Sequence, residues 1–482
     1  MSKFYITTAI PYVNDKPHIG HAVLHLYADV LARYMRQQKT PTLFAAGTDE
    51  HGGKIAEKAK AAGVTPQAFA TEVSKSFVDM WKVLEISYDR FIRTTDPDHI
   101  KRSAIAWTNL SKYIYKGKYS GWYCTGHEEF FPEKVVKANN GVCPDHNRPY
   151  DQVQEENYFF KLSAFTINIR KAIEAGDFQV VPDTRRNEIL SLLKAGLDDI
   201  SISRPKATLS WGIPVPGDDT QVMYVWFEAL LNYITVLGYP DKPDFKTYWP
   251  ANVQVIGKDI LRFHAAIWPA ILMGLGLPLP KTLYVHGFIE VKGQKMGKSL
   301  GNVIDPLQIV KDYGVDAFRY YFLRYGPCVN DVDFSMDRFV EVYESELADQ
   351  LGNAVSRVSA MVVKYLQGVI GELPASDHDV AQYERALENC RFDLALEEVW
   401  EQIKGLNQYI DETKPWEIAK TGDQEHIREV LAYSASSLIE IAQLLTPFIP
   451  DTAAKIQSVF GSGTIQALPG SLFPKAEKPV KI

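Results

Sequence analysis

Cysteine is scarce in this chain, with four residues in 482. That number cannot build a disulfide framework at this length, and a reducing compartment would keep all four as thiols, leaving metal binding or packing as their roles. Long apolar runs are missing too. The longest, Ala265 to Pro280, is interrupted by Pro269 and closed by Pro278 and Pro280, short of the ~20 residues a membrane-spanning helix needs. The N-terminus has neither a basic flank nor a small-residue cleavage site, and Phe4 to Ile10 reads as a strand. These absences predict a cytoplasmic protein with no membrane partner. Excess basic charge is also lacking: the net charge of −7 excludes indiscriminate nucleic-acid binding, although a local basic patch can still steer RNA on an acidic protein.

What is present is a full globular composition, 46% hydrophobic and 23% charged. The chain is too long for one core, and ~100–200 residues per domain suggests about three domains. Phe4 to Ala9 is a short β-forming run, and Pro11, Asn14, Asp15 and Pro17 mark a loop. From His18, apolar residues Ile19, Val23, Leu26, Val30 and Leu31 recur at helical spacing. Pro41 to Ala46 is a second strand, ending at Gly47-Thr48-Asp49-Glu50-His51-Gly52. This alternation predicts an α/β fold with a doubly wound parallel, Rossmann-like sheet, whose ligands gather at the carboxyl ends of the strands.

Residues 1–114 are read as the first half of that domain and 115–213 as an insert, set apart by paired Cys and His, many aromatics and a Pro/Gly-rich exit. Strand and helix signals resume at Met223 to Leu237, Val253 to Gly257, Ala265 to Met273 and Thr282 to His286, so 214–336 is the second half. Beyond it, Phe339, Tyr343, Leu347, Leu351, Val355, Val358 and Val362 form a helical stripe. Similar stripes over Leu394 to Ile410 and Ile427 to Leu445 predict an all-α helical bundle over 337–482.

Two motifs carry phosphate chemistry. His18-Ile19-Gly20-His21 lies where strand, loop and helix start meet, and unpaired amides and the positive dipole end favour a polyphosphate there. Gly20 lets a nucleotide approach the backbone, and the imidazoles are placed to donate hydrogen bonds as charge builds on a phosphate. The second is Lys295-Met296-Gly297-Lys298-Ser299, flanked by Gly293 and Gly301, whose two lysines suit neutralising the charge of a triphosphate in its transition state.

Together these segments resemble the HIGH and KMSKS signatures of class I aminoacyl-tRNA synthetases, with Gly297 where the second signature most often has serine. Ala9-Ile10-Pro11-Tyr12-Val13-Asn14, Gly47 to Gly52, Tyr224-Val225-Trp226-Phe227-Glu228-Ala229, and Gly257-Lys258-Asp259-Ile260 followed by Phe263-His264 are similar to segments of the methionine-specific family. The resemblance spans essentially the whole chain. It implies a ligase that activates L-methionine with Mg²⁺-bound ATP and passes it to the 3′ end of tRNA(Met). His18, His21, Lys295 and Lys298 would be catalytic, and Gly20, Gly257, Lys258, Asp259 and Ser299 would join them in binding ATP. Asp49 would hold the substrate ammonium, with Ala9, Ile10, Tyr12, Trp226, Ala229, Leu230, Tyr233, Ile260 and His264 forming the rest of the methionine site. Aromatic walls suit a thioether, since sulfur–ring contacts contribute ~0.3–1.5 kcal/mol. A nucleotidyltransferase using the same histidine motif without tRNA is the rival reading, and the helical domain argues against it.

In the insert, Cys124-x-x-His127 and Cys143-x-x-His146 are two half-sites whose two-residue gaps let all four side chains reach one tetrahedral ion. A structural Zn²⁺ knuckle is predicted. Relatives with one knuckle commonly have cysteine where this chain has His127. The remaining cysteines, Cys328 and Cys390, are read as packing residues. At some 100 residues the insert also leaves no space for the large editing domain of the valine, isoleucine and leucine enzymes, which need it because one methylene gives only ~1–3 kcal/mol of discrimination. On the helical domain, Asn353 and Arg357 are four apart and share a face. The resemblance implies that these and Trp416 read a CAU anticodon, for which amide, guanidinium and indole are suited. The appended dimerisation domain of many relatives is not evident, which predicts a monomer.

Overall fold

The computed structural model describes residues 3–127, 129–131, 133–296, 302–374, 379–461, 464–468 and 470–474. Two compact units emerge: Met1–Pro17, Thr40–Asp79 and Tyr88–Val285 in one, and His18–Lys39, Met80–Ser87 and His286–Ile482 in the other.

The first unit is built on a six-stranded sheet in the order Arg90–Arg93, Thr42–Thr48, Phe4–Thr8, Val253–Gly257, Thr282–His286, Gln179–Val181. Phe4–Thr8 pairs in parallel with both Thr42–Thr48 and Val253–Gly257, so the two sequence halves join at the middle of one sheet. Phe4–Thr8 is buried throughout, which is why it reads as a continuous apolar and β-branched run rather than an alternating one. The second strand runs two residues past the predicted Ala46, because Gly47 and Thr48 continue the parallel ladder opposite Ile92 and Arg93. Gly47 is required there: a Cβ would lie 2.4 Å from the Ile92 carbonyl oxygen and 3.0 Å from Ile10 Cγ2.

The insert carries its own antiparallel sheet, in which Ile114–Cys124 pairs with Asp151–Phe160 from Ile114↔Phe160 to Tyr123↔Asp151. A separate three-stranded sheet of Ser203–Pro205, Asp218–Met223 and Pro214–Val215 returns the chain to the helix Val225–Leu230. The apolar segment after Gly257 is less regular than its composition predicts. A π turn, Phe263–Ile267, precedes the helix Trp268–Gly274, and such turns concentrate at functional sites.

The second unit contains the helix Ile19–Gln37 and the C-terminal helices, among them Val315–Arg324, Asn353–Leu366, Phe392–Thr413, Pro415–Thr421 and Gln424–Leu445. A fully buried ion pair fixes Ile19–Gln37 within it: Arg319 Nη2 lies 2.7 Å from Asp29 Oδ2. Asp29 also receives Arg33 at 2.7 Å and the Ser87 amide and hydroxyl at 2.7 and 2.6 Å, while Arg319 donates to the Phe448, Pro447 and Leu84 carbonyls. Burial alone would raise the Asp29 carboxyl, but the two guanidinium groups and Ser87 outweigh it and hold it below its ordinary value. Both fully buried charges of this network, Asp29 and Arg319, are thereby paired and bonded, the condition under which such a network specifies one arrangement. The helix Asn353–Leu366 is preceded by a ten-residue π segment, Tyr343–Gly352, within the predicted stripe. Among the described residues, no helix is long and apolar enough to cross a membrane.

Candidate active site

The histidine motif caps its own helix. His18 is extended and precedes Ile19–Gln37; the Gly20 amide donates to His18 Nδ1 at 3.1 Å, and the His18 amide donates to His21 Nδ1 at 3.2 Å. This is a reciprocal capping box in which imidazole nitrogens do what serine and glutamate usually do. Both Nδ1 atoms accept, so both neutral rings carry their hydrogen on Nε2, as donation to a phosphate oxygen requires. His21 is held well below the ordinary histidine range, first by burial and then by the nearby His18 and His25. Gly20 packs under the His18 ring, where a Cβ would lie 3.0 Å from Cε1.

Lys295 closes a short hairpin: Gln294–Lys295 pairs antiparallel with Ile289–Val291. Lys292 and Gly293 both take left-handed backbone (φ 56° and 68°), the requirement of a two-residue type I′ turn, and Asp333 Oδ1 accepts from the Gly293 amide at 2.8 Å. Lys295 Nζ stands 4.6 Å from the centre of the Phe288 ring. Gly297, Lys298, Ser299 and Gly301 lie outside the described residues.

In the first unit, the residues assigned to methionine come from four places on the sheet's carboxyl edge and beyond. Asp49, 5% exposed, follows the strand Thr42–Thr48 and bridges in parallel to Tyr12; its amide donates to the Pro11 carbonyl at 2.9 Å, and its own carbonyl accepts from Val13 at 3.0 Å. Ala9 is fastened to the Val255 carbonyl at 2.9 Å, and Ile10 contacts Gly47 as above. Trp226, Ala229 and Leu230 lie on Val225–Leu230, with Trp226 stacked on Phe263 at 3.9 Å between ring centres. Tyr233 and His264 are both buried; Tyr233 Oη is 2.7 Å from His264 Nε2, and His264 Nδ1 is 3.0 Å from the Ile260 carbonyl. The carbonyl can only accept, so Nδ1 carries the imidazole hydrogen and Nε2 accepts from the tyrosine. Burial lowers His264 to about 4, which keeps it neutral, and raises the Tyr233 hydroxyl above its ordinary value. Lys258, Asp259 and Ile260 form one 3₁₀ turn directly after the strand Val253–Gly257.

The Cys/His quartet comes together as spaced. One ligand atom from each of Cys124, His127, Cys143 and His146 lies within 4.8 Å of every other. His127 Nδ1 is 3.3 Å from Cys124 Sγ and 3.4 Å from Cys143 Sγ, and His146 Nδ1 is 3.6 Å from Cys143 Sγ. A tetrahedral Zn²⁺ at ~2.3 Å from sulfur and ~2.0–2.1 Å from nitrogen needs edges of roughly 3.5 Å, so the donor set fits zinc. His127 Nε2 faces Asp145 Oδ2 at 3.0 Å, the usual outer partner of a metal-ligating histidine. Cys124 and Cys143 are buried with Val136 and Tyr150, and Trp122 and Phe131 pack against them. Gly126 is essential to the geometry, since a Cβ there would lie 2.3 Å from the His146 ring.

On the helical domain, Arg357 Nη2 pairs with Asp411 Oδ1 at 2.7 Å, and its guanidinium lies 5.8 Å from the Trp416 ring centre. Asn353 is exposed one turn earlier on the same helix.

A model of tRNA synthetases class I (M) matches residues 4–155 and 145–359, and one of the anticodon-binding domain of tRNA ligase matches 376–478. The chain belongs to the class I tRNA synthetases of the M family. Relatives include the methionine–tRNA ligase of Caldanaerobacter subterraneus subsp. tengcongensis, 43% identical over 95% of this chain and 74% of its own length. That of Thermotoga maritima is 42% identical over 94% and 74%. Among solved structures of this family, Mycobacterium tuberculosis methionyl-tRNA synthetase in complex with methionyl-adenylate superposes with a TM-score of 0.93 at 38% identity, covering 98% of this chain and 100% of that one.

Three residues beside this synthetase's candidate pocket were missed as participants. His51 and Glu228 sit inside the quoted segments and His99 lies outside them, yet nothing in the sequence signals that Glu228 joins the two histidines across 177 and 129 positions.

Proposed function

We propose that the chain is a methionine–tRNA ligase. The methionine carboxylate oxygen attacks the α-phosphorus of ATP, the bond to the β-bridging oxygen breaks, and pyrophosphate leaves. The terminal hydroxyl of tRNA(Met) then attacks the activated carbonyl, losing its proton as AMP departs. Mg²⁺ bound to ATP would offset charge on its phosphates.

The observation that carries this reading is the buried Asp49 carboxylate in the same unit as the neutral Tyr233–His264 pair and the Trp226–Phe263 stack. An ammonium group calls for a carboxylate, while a thioether calls for aromatic and uncharged polar neighbours. Ala9, Ile10, Tyr12, Ala229, Leu230 and Ile260 complete the site. No protein nucleophile is needed, so catalysis is alignment plus charge stabilisation by His18, His21, Lys295 and Lys298. Gly20, Gly257, Lys258, Asp259 and Ser299 contribute to ATP binding.

The segments 1–114 and 214–336 serve as the catalytic domain together with the strand Gln179–Val181, which 115–213 contributes to the six-stranded sheet; the rest of 115–213 serves as the insert, and 337–482 as the anticodon reader through Asn353, Arg357 and Trp416. Cys124, His127, Cys143 and His146 would hold one structural Zn²⁺, leaving no position for water and hence no part in the reaction. A cytoplasmic monomer is proposed, and light scattering of the purified chain checks the oligomeric state. Methionine-dependent exchange of pyrophosphate into ATP, followed by charging of a CAU-anticodon tRNA, tests the activity; Trp416→Ala is expected to weaken charging and spare exchange.

A further inference from the structure

Glu228 is completely buried, on the helix that also carries Trp226, Ala229 and Leu230, three residues assigned to the methionine site. Each of its oxygens meets a buried histidine: Oε1 is 2.8 Å from His51 Nδ1 and Oε2 is 2.9 Å from His99 Nε2. A carboxylate accepts, so both histidine nitrogens present their hydrogens to it. Burial by itself would raise the Glu228 carboxyl, and the two histidines reverse that, holding it below its ordinary value and ionised. The outer arm continues from His99 Nδ1 to the Thr235 hydroxyl at 2.8 Å.

His51 is two residues from Asp49, and Glu228 is two from Trp226. The segment between Thr48 and Gly52 is held at other points as well. Arg93 grips the Glu50 carboxylate through Nε and Nη2, both at 2.8 Å. The Trp211 indole donates to the Glu50 carbonyl at 2.6 Å, and the Gly52 amide donates back to the Trp211 carbonyl at 3.1 Å. Those bonds fasten the segment to its surroundings, whereas His51–Glu228 fastens it to the helix that carries Trp226, Ala229 and Leu230. A hydrogen bond to a carboxylate excluded from water is a stiff link, and removing one partner leaves the other polar group buried without compensation.

We propose that Glu228 is a positioning residue: through His51 it fixes the distance between the Asp49 carboxylate, which receives the substrate ammonium, and the Trp226 helix, which receives the side chain. The pair acts as a ruler for the number of bonds between ammonium and sulfur. This rests on the methionine assignments of Asp49 and Trp226.

The test is pyrophosphate exchange by the full chain with two substrates, L-methionine and S-methyl-L-cysteine, which is one methylene shorter between Cα and sulfur. One methylene is worth ~10–200-fold in kcat/KM in a fitted pocket. Glu228→Gln is expected to raise the KM for methionine about tenfold, leave the KM for ATP within about twofold, and cut the preference for methionine at least fivefold. Parallel losses for both substrates, with the preference unchanged, would make Glu228 a fold-stabilising residue only and overturn the proposal, as would an unchanged methionine KM. Where Glu228→Gln does not fold, Glu228→Asp, which keeps the charge but shortens the reach, carries the same expectation. Asp49→Asn separates the underlying assignment from the ruler. If it leaves methionine KM untouched the ammonium assignment fails, whereas a raised KM in Asp49→Asn with unaltered preference in Glu228→Gln sinks the ruler alone.

Discussion

Histidine three residues after a partner occurs in two regions with opposite outcomes. In Cys124-x-x-His127 and Cys143-x-x-His146 the spacing gathers four donor atoms around one point. In His18-x-x-His21 the same spacing turns each ring toward the other residue's backbone or its neighbour's, closing a helix cap. Spacing sets reach, and the surroundings decide use. Two buried thiols beside Val136, Tyr150, Trp122 and Phe131 make a closed donor set, whereas a helix start with unpaired amides turns imidazole nitrogen inward and leaves Nε2 with the hydrogen.

The largest effect that sharpens this contrast should come from separating cap from catalysis. His18→Ala should lower the rate of methionine activation by roughly 10²–10³, the usual loss of one transition-state donor, while removing only about 1 kcal/mol of helix stability. His18→Asn should recover the stability and little of the rate. A His18→Asn enzyme of full speed would reduce the motif to a cap.

Next in size is the metal. Elemental analysis should find about one zinc per chain, falling to near zero in Cys124→Ala and persisting in His127→Cys, since thiolate replaces imidazole at a tetrahedral site. Chelation should lower the melting temperature without changing the KM for ATP. A metal-free protein with an unaltered insert would break the comparison at its root. Gly126→Ala should act like a ligand deletion, because the added carbon meets the His146 ring at 2.3 Å. Gly20→Ala, with 3.0 Å to His18, should cost only about 1–3 kcal/mol of strain. Zinc content and thermal melting of the two variants decide.

The smallest effect concerns pH. His25 and His264 are lowered to about 4 by burial, and His21 is lowered as well. Unfolded histidine takes up a proton near 6.5, so the unfolded state binds more protons as pH falls from 6.5 toward 4. Stability from these groups is therefore complete above 6.5 and declines below it, by about 2 kcal/mol each for His25 and His264 at pH 5. Urea midpoints at pH 7.5 and 5 should differ in that direction, and equal midpoints would contradict buried neutral rings. His127 and His146, as ligands of the proposed zinc, should add to acid lability only in metal-loaded protein.

Much of this was legible beforehand because it is local. The helical stripes, the strand before the histidine motif and the two-residue gaps of the Cys-x-x-His pairs follow from periodicity, punctuation and spacing. Other features depend on residues far apart in sequence. The His51–Glu228–His99 relay and the Asp29–Arg319 pair span 129 to 290 positions, and no local pattern announces them. No local pattern marks the His146 ring beside Gly126 or the Ile92 carbonyl beside Gly47. Histidine is also an unusual cap, so a helix start was expected at His18 without the reciprocal bonds that make it.

Whether this family member activates methionine at the Asp49 site is decided by pyrophosphate exchange measured across all twenty amino acids. Exchange with methionine should lie far above that with every other amino acid and fall by at least about a hundredfold in Asp49→Ala through loss of the buried carboxylate partner. Equal exchange with another amino acid, or an Asp49→Ala enzyme that activates methionine normally, would contradict it.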